Sequence, residues 1–417
     1  MKFFVDTYGC TANQGDSKRI EALLKKKGHE IAESVEAADT VVVNTCIVTK
    51  RTELNVLKRL EELEVCGKDI IVAGCLPAAR PDLISKKQNY GVMTPRSIDH
   101  VCEYGVDGVI GTVNISNGCI GDCSYCIVKK ARGPLLSYDS KRIIETVNTL
   151  VAGGAKEIRI TSQDCSAYGL DFGCRLPELI ENITSVEGDF MLRIGMMNPF
   201  TLFDILDETI EAFDHPKIFK FLHVPVQSGS DAILKQMNRR YNISEFTDIL
   251  KSFREKFSDL TFSTDFIIGF PGETKENFKD SLSLLELTSP DKVNITRFSA
   301  RPGTKAADMP DILERTKKER SRIFTKRCHE ILSEKNAMWV GRVLEVIVTE
   351  IGQKGGVVSR DETYKHIILR DDLRPGERFR VRITEAKRTY FVGEVLNQAP
   401  HISLPGTKAL SYLDLKG

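Results

Sequence analysis

Three patterns of hydrophobic and polar positions divide the chain. In residues 1–112, short apolar runs at Lys2–Thr7, Thr40–Asn44 and Asp69–Ala73 read as strands. Between the first two, Ile20, Leu23 and Leu24 mark one face of a helix over Asp16–Lys27. Between the second and third, Leu54, Leu57, Leu60 and Leu63 recur at helical spacing within Thr52–Leu63. Strands alternating with helices predict an α/β domain with a parallel sheet covered on both faces. Residues 113–336 repeat the theme. Strands are expected at Val113–Ser116, Glu157–Thr161, Phe190–Met196, Phe219–Val226, Thr261–Ile268 and Lys292–Arg297. Helices are expected between them, at Ser140–Val151, Leu202–Phe213, Ser244–Phe257 and Lys275–Leu287. A full barrel of this type needs eight strand–helix units, so these six predict an open partial barrel. From 337 to 400 the pattern changes to short strands at Trp339–Glu350, Gly356–Arg360, Tyr364–Arg370, Arg378–Glu385 and Thr389–Leu396, with a loop at Asp371–Glu377. Five such strands predict a small antiparallel β-barrel, and residues 401–417 read as a tail.

Composition narrows the classes. The 417 residues are 41% hydrophobic and 28% charged, an ordinary core-forming balance. A formal charge of +1 excludes a basic field over the whole molecule, so any nucleic-acid contact needs a local patch. No apolar run approaches the roughly 18 residues of a membrane span, so no membrane partner is expected. The opening residues enter a strand directly, so no signal peptide is expected. Eleven cysteines then suggest reduced thiols serving metals or redox chemistry in the cytoplasm.

Two cysteine sets carry the chemistry. Cys119, Cys123 and Cys126 form CxxxCxxC after the first barrel strand, where barrel enzymes place their active sites. Three thiolates suit a soft metal, and a zinc knuckle with a remote fourth ligand is the bland alternative. Cys10, Cys46 and Cys75 are far apart in sequence, yet each follows a strand of the N-terminal sheet. Strand ends of a parallel sheet share one edge, which is where such sheets bind ligands. Three small buried residues is the competing explanation. Cys66, Cys102, Cys165, Cys174 and Cys328 follow no comparable pattern and are assigned to packing, as is His223. Lys129, Lys130 and Arg132 follow the cluster loop and could meet phosphates or simply be solvated. Arg378, Arg380 and Arg382 alternate on one strand, with Lys387 and Arg388 in the next turn, making the best candidate RNA patch.

The central triplet resembles the signature of radical S-adenosylmethionine (SAM) enzymes. That resemblance implies a [4Fe–4S] cluster on the three cysteines and SAM on its fourth iron. It also implies cofactor contacts from Tyr125, from Gln163 in Ile160–Asp164, and from Arg193 to the SAM carboxylate. Gln227 and Ser228 in His223–Ser230, and Gly269 in Thr264–Thr274, complete the implied contacts. Combined with the N-terminal cysteines and the C-terminal barrel, the chain resembles the methylthiotransferase family over nearly its whole length. The resemblance implies a second [4Fe–4S] cluster on Cys10, Cys46 and Cys75, catalytic roles for all six cysteines, and a C-terminal TRAM domain that grips RNA. Gly118–Gly133 is most similar to the archaeal and eukaryotic branch, which acts on N6-threonylcarbamoyladenosine in tRNA. Gly195-Met196-Met197-Asn198-Pro199 departs from the segment expected in the isopentenyladenosine branch. The expected partners are tRNA carrying N6-threonylcarbamoyladenosine, a ferredoxin- or flavodoxin-like electron donor, and a sulfur donor. Alternatives are an enzyme acting on isopentenyladenosine or a ribosomal protein, and a zinc-bearing RNA-binding protein without catalysis. A flavin-binding N-terminal domain is disfavoured, because no phosphate-cradling Gly-rich loop follows the first strand.

Overall fold

The computed structural model describes residues 1–85, 89–98, 105–352 and 355–399, with only the backbone of Asp107. Cys102 and the tail at 401–417 lie outside the described residues. The N-terminal sheet has five parallel strands in the order Glu30–Ile31, Lys2–Thr7, Thr40–Thr45, Asp69–Gly74, Tyr90–Met93. Its central strand is buried at every position, as expected for a strand covered on both faces. Val41 and Val43 pack with Val56, Leu60 and Leu63 of the helix Lys50–Val65. Val42 points the other way, to Ile20 of the helix Thr11–Lys26. Leu54 leaves the predicted stripe and is 53% exposed. A strict three-residue step drifts off a helix of 3.6 residues per turn, so the buried face runs through Glu53, Val56, Leu60 and Leu63 instead.

The central unit is the expected open barrel. Its first three strands, Ile110–Asn114, Glu157–Thr161 and Met191–Ile194, form one parallel sheet with a short antiparallel edge at Val106–Asp107. Phe221–His223, Thr261–Ile268 and Lys292–Arg297 form the second parallel sheet, and a bridge between Leu192 and Ile218 joins the two. The expected helix Leu202–Phe213 is two helices, Pro199–Phe203 and Leu206–Phe213, because Ile205 leaves helical torsion angles. The helices Leu176–Thr184 and Asp231–Gln236 are additional to the expected ones, the first burying Leu176, Leu179, Ile180 and Ile183 at helical spacing. A long helix, Glu314–Ala337, lays Phe324, Cys328, Ile331 and Leu332 on the barrel core.

The C-terminal strands Val343–Ile351, Val357–Asp361, His366–Leu369, Arg378–Ala386 and Phe391–Gln398 close into a barrel. The barrel is antiparallel except where Ile367–Leu369 runs parallel to Phe391–Gly393, a correction to the all-antiparallel expectation. The cause is that closure brings the third and fifth strands together, which run in the same direction. The barrel is seated against the starts of the central strands. Tyr364 Oη donates to Glu157 Oε1 (2.6 Å), Lys365 Nζ to Thr261 Oγ1 (3.1 Å), and Arg378 pairs with Asp189 (2.9 Å). Among the described residues no helix is long and apolar enough to cross a membrane.

Candidate functional site

Each N-terminal cysteine sits where a strand stops. Gly9 (φ +146°) and Gly74 (φ +85°) make the turns before Cys10 and Cys75. A Cβ on Gly9 would lie 2.9 Å from Cys46 Cβ, and one on Gly74 would lie 2.6 Å from Thr45 O. Only glycine permits that approach, and the approach gathers the three thiols at one sheet edge. Cys46 and Cys75 are buried while Cys10 is exposed. Burial pushes the Cys46 thiol up to about 12, and the neighbouring Cys10 and Cys75 sulfurs add to it. Burial also raises Cys75, opposed by the Arg132 guanidinium.

The CxxxCxxC loop hangs on the end of the first barrel strand. Gly118 takes φ +81°, and a Cβ there would meet Pro134 O at 2.0 Å. Gly121 N–H donates to Cys119 Sγ (3.2 Å), and a Cβ on Gly121 would lie only 3.2 Å from that same sulfur. Arg239 Nη1 donates to Cys123 Sγ at 3.4 Å while stacking on Tyr241. Burial pushes Cys119 up to about 12 and Cys126 to about 11, so both need a bound cation to ionise near neutral pH. Among the described residues no three His, Cys, Asp or Glu side chains close on a point as ligands of a single ion would. The donor set, three thiols with a backbone N–H aimed at the Cys119 sulfur and a guanidinium N–H at the Cys123 sulfur, fits a thiolate-bound iron–sulfur cluster.

The two cysteine sets are neighbours. The helix Cys75–Ala79 packs on the helix Val128–Arg132, two residues beyond Cys126. A cavity of about 200 Å³ lies between them, lined by Val48 and Thr49 after Cys46, by Tyr125 and Cys126, and by Gln227 and Ile267 across the barrel. Gln227 holds a left-handed φ of 70° there, a strained conformation typical of ligand sites. Arg301 enters the same cavity. Its Nη2 pairs with the buried Glu53 at 2.6 Å, while its Nε and Nη1 are buried without partners among the described residues. Orphaned buried donors of this kind fit an anionic group such as the SAM carboxylate.

Several expected contacts are placed elsewhere. Gln163 Oε1 accepts from Gly118 N–H (2.7 Å), so this side chain ties the second strand to the cluster loop. Ser228 is buried and its Oγ accepts from Ser230 N–H, so its hydroxyl serves the turn. Gly269 packs against Lys317, with room for no side chain, outside the cavity wall. Arg193 does not line that cavity either; its guanidinium stacks over Phe221 (5.0 Å) and Tyr364 (5.8 Å) at the other end of the lumen. Cys165 lies in the barrel core and His223 is held by Asp265 (3.2 Å), both in packing roles as expected.

The basic residues also divide. Arg132 is buried, bonded to Asp16 and Asn117, and cannot reach a phosphate. Lys129 Nζ donates to Gly121 O (2.9 Å) and braces the cluster loop, whereas Lys130 is exposed. Arg378 is committed to Asp189. Arg380 and Arg382 are exposed on one face as the alternation predicts. Lys387 pairs with Glu385, and Arg388 bonds His329 Nδ1. Arg301 falls in Arg301–Thr304, a segment marked in sequence only by its place after the sixth barrel strand, whereas Arg239 and Glu53 were not legible, since each gains meaning only from a distant partner.

Residues 113–285 match the Radical SAM superfamily, residues 2–94 match Uncharacterized protein family UPF0004, and residues 339–396 match the TRAM domain. The chain is 39% identical to a probable threonylcarbamoyladenosine tRNA methylthiotransferase of Pyrococcus horikoshii, over 95% of this chain and 100% of that protein. It is 33% identical to the threonylcarbamoyladenosine tRNA methylthiotransferase of Drosophila melanogaster, over 95% of this chain and 78% of that protein. The fold is similar to that of the radical S-adenosylmethionine methyltransferase TsrM from Kitasatospora setae. The TM-score is 0.54 at 13% identity, over 73% of this chain and 75% of that one.

Proposed function

The chain belongs to the threonylcarbamoyladenosine tRNA methylthiotransferase family of radical SAM enzymes, and on that premise we propose that it installs a methylthio group at C2 of N6-threonylcarbamoyladenosine beside the anticodon. The observation that carries the reading is the packing of the helix that begins at Cys75 on the helix that follows Cys126, beside a cavity lined by Cys126 and by the residues after Cys46. It is a transferase with two [4Fe–4S] clusters and SAM as cofactors. Cys119, Cys123 and Cys126 hold one cluster, and Cys10, Cys46 and Cys75 hold the other. Bound there, these groups supply a 5′-deoxyadenosyl radical for the aromatic C–H, the sulfur to be inserted, and the methyl group.

The chain's own residues hold and enclose. An aromatic C–H is beyond any side-chain base, because general bases work near their own pKa, so the protein's task is positioning. Gly121 N–H and Arg239 fix the sulfurs of Cys119 and Cys123, while Lys129 holds the loop between them. Tyr125, Gln227 and Arg301 shape the cavity for SAM. Arg380, Arg382 and Lys130 face solvent and take tRNA phosphates. The working units are 1–112, 113–336 and 337–400. A ferredoxin- or flavodoxin-like protein delivers electrons and a separate donor renews sulfur, in the cytoplasm where such thiols stay reduced.

Nucleoside mass spectrometry tests the reading. Anaerobically reconstituted protein, SAM, a reductant, a sulfur source and tRNA carrying threonylcarbamoyladenosine should give the methylthio nucleoside, and tRNA carrying isopentenyladenosine should not. A methylthio product on the second tRNA alone would overturn the assignment.

A further inference from the structure

The inner wall of the barrel carries cations that nothing in the cluster region uses. Lys292, Asn294 and Thr296 alternate along the last barrel strand and are solvent-accessible, whereas Val293 and Ile295 pack outward on the core. The lumen beside this strand is therefore open to water. Across it, Arg193 stands in register with Arg159 on the neighbouring strand. Below it, the loop of the C-terminal barrel presents Tyr364, on which Arg360 stacks at 4.9 Å and Arg193 at 5.8 Å. Four cationic side chains thus gather in one chamber.

Their charges are unequally answered. Arg159 is held by Glu157 (2.5 Å), and both Arg159 and Arg360 reach Glu350. Among the described residues neither Arg193 nor Lys292 has a hydrogen bond or ion pair, and Arg193 Nε is a buried donor without a partner. Asp265, the acid acting on Lys292, is already bonded by His223 and Asn294. The accessible surface of Lys292 faces the lumen, so enclosure still disfavours its charge, and Arg193 and Arg360 add to that. Two cations without an acidic partner of their own, facing a water-accessible lumen, are placed to receive an anion.

The chamber adjoins the reaction cavity. Asp265 and Asn294 line the cavity, Asp265 also acts on Lys292, and inner-face positions on a strand repeat about every 7 Å. Lys292 therefore lies two such steps below Thr296 of the cavity wall. On the other side a cleft of about 570 Å³ opens to solvent past Thr112, Arg159 and Glu350. A purine held at the cavity, with its N6 arm directed down the lumen, would carry the end of that arm to these cations.

We propose that Arg193 and Lys292, backed by Arg360, form a specificity subsite for the carboxylate of the threonyl arm on the substrate base. This rests on the threonylcarbamoyladenosine reading given above. A guanidinium offers a bidentate fit to a carboxylate and an ammonium offers a point charge. An apolar N6 arm would leave both unanswered, so the same cations reject it.

The test uses full-length holoenzyme and synthetic anticodon stem-loops bearing either threonylcarbamoyladenosine or its uncharged threoninamide analogue. Dissociation constants come from fluorescence anisotropy and product from nucleoside mass spectrometry. Wild type should favour the carboxylate by at least about 100-fold in kcat/KM, with tighter binding. Lys292→Met, at an accessible position, and Arg193→Met should each cut that preference at least tenfold by weakening the carboxylate substrate alone, and Arg193→Lys should restore part of it. Equal conversion of both stem-loops by wild type would overturn the subsite and leave the methylthio transfer standing. A preference that survives in Lys292→Met and Arg193→Met would also overturn it. Variants that weaken both stem-loops equally would assign the cations to tRNA phosphate or the SAM carboxylate, against the proposal. No methylthio product on either stem-loop would overturn the functional reading, and the subsite with it.

Discussion

Arg132 and Asp16 form an ion pair at 2.7 Å with both side chains only 2% exposed. The two residues come from different units. Asp16 lies on the first helix, six residues after Cys10, and Arg132 lies six residues after Cys126. Asn114 Nδ2 also donates to Asp16 (2.7 Å), and Arg132 Nη1 donates to Asn117. The pair therefore locks the auxiliary cysteine edge to the strand that bears the CxxxCxxC loop.

Arg132→Ala should lower the stability of the chain by about 3–5 kcal/mol, because removing one partner leaves a buried charge unanswered. Urea denaturation followed by circular dichroism measures this, with Asp16→Asn and the double variant closing the cycle. Losses that simply add in the double variant would show that the two side chains do not act on each other.

Gly118→Ala should cost the protein half of its iron and acid-labile sulfide. The left-handed φ of +81° and the 2.0 Å approach to Pro134 O leave no room for a methyl group, so the loop carrying Cys119 must shift. Gly28→Ala is the control, having a similar φ of +79° but nothing within 4 Å. Equal iron loss in both variants would point to general backbone strain and not to the cluster loop.

Arg380→Ala with Arg382→Ala should weaken tRNA binding and flatten its salt dependence by roughly 0.7 log units per lost phosphate contact. Arg378→Ala should leave the salt slope alone and instead loosen the seat of the C-terminal barrel, since its partner is Asp189. Filter binding across a salt series separates the two effects. An unchanged slope in the double variant would remove this strand from the RNA interface.

His366 gives the fold an acid-sensitive point. Burial, then the Arg360 and Lys292 charges, push its pKa down to about 4. The unfolded chain, with an ordinary histidine pKa near 6.5, binds more protons between those values. Stability contributed by neutral His366 is therefore full above about pH 6.5 and falls as pH drops toward 4. Melting temperatures over that window should decline less for His366→Gln than for wild type. Parallel declines would mean that other groups carry the acid sensitivity.

Much of this protein is legible in local pattern. The valine run at 40–45 announces a doubly covered strand, and the strands at Glu157–Thr161, Thr261–Ile268 and Lys292–Arg297 fall where their apolar runs end. Gly9 and Gly74 mark tight turns at strand ends, which suffices to bring Cys10, Cys46 and Cys75 to one edge once the sheet is parallel. The helix Leu176–Thr184 is legible too: Leu176, Leu179, Ile180 and Ile183 line its buried face and Glu178, Glu181 and Asn182 its exposed one, a period that its nine residues show only briefly.

The sequence by itself determined most of the order of strands and helices, the change of pattern along the chain and the spacing of the six cysteines, because side-chain periodicity and cysteine spacing are local properties of the chain. The tertiary structure alone decided what each charged residue does. Arg132 and Arg378 look like members of basic surface runs, yet the one is buried against Asp16 and the other is held by Asp189, partners 116 and 189 residues away. Arg193 looks like a cofactor contact, yet it faces a lumen floored by Tyr364. Whether a cation meets solvent, an acid or an open cavity is set by which distant elements pack over it, and the energy of that environment does not appear in the residue's neighbours along the chain.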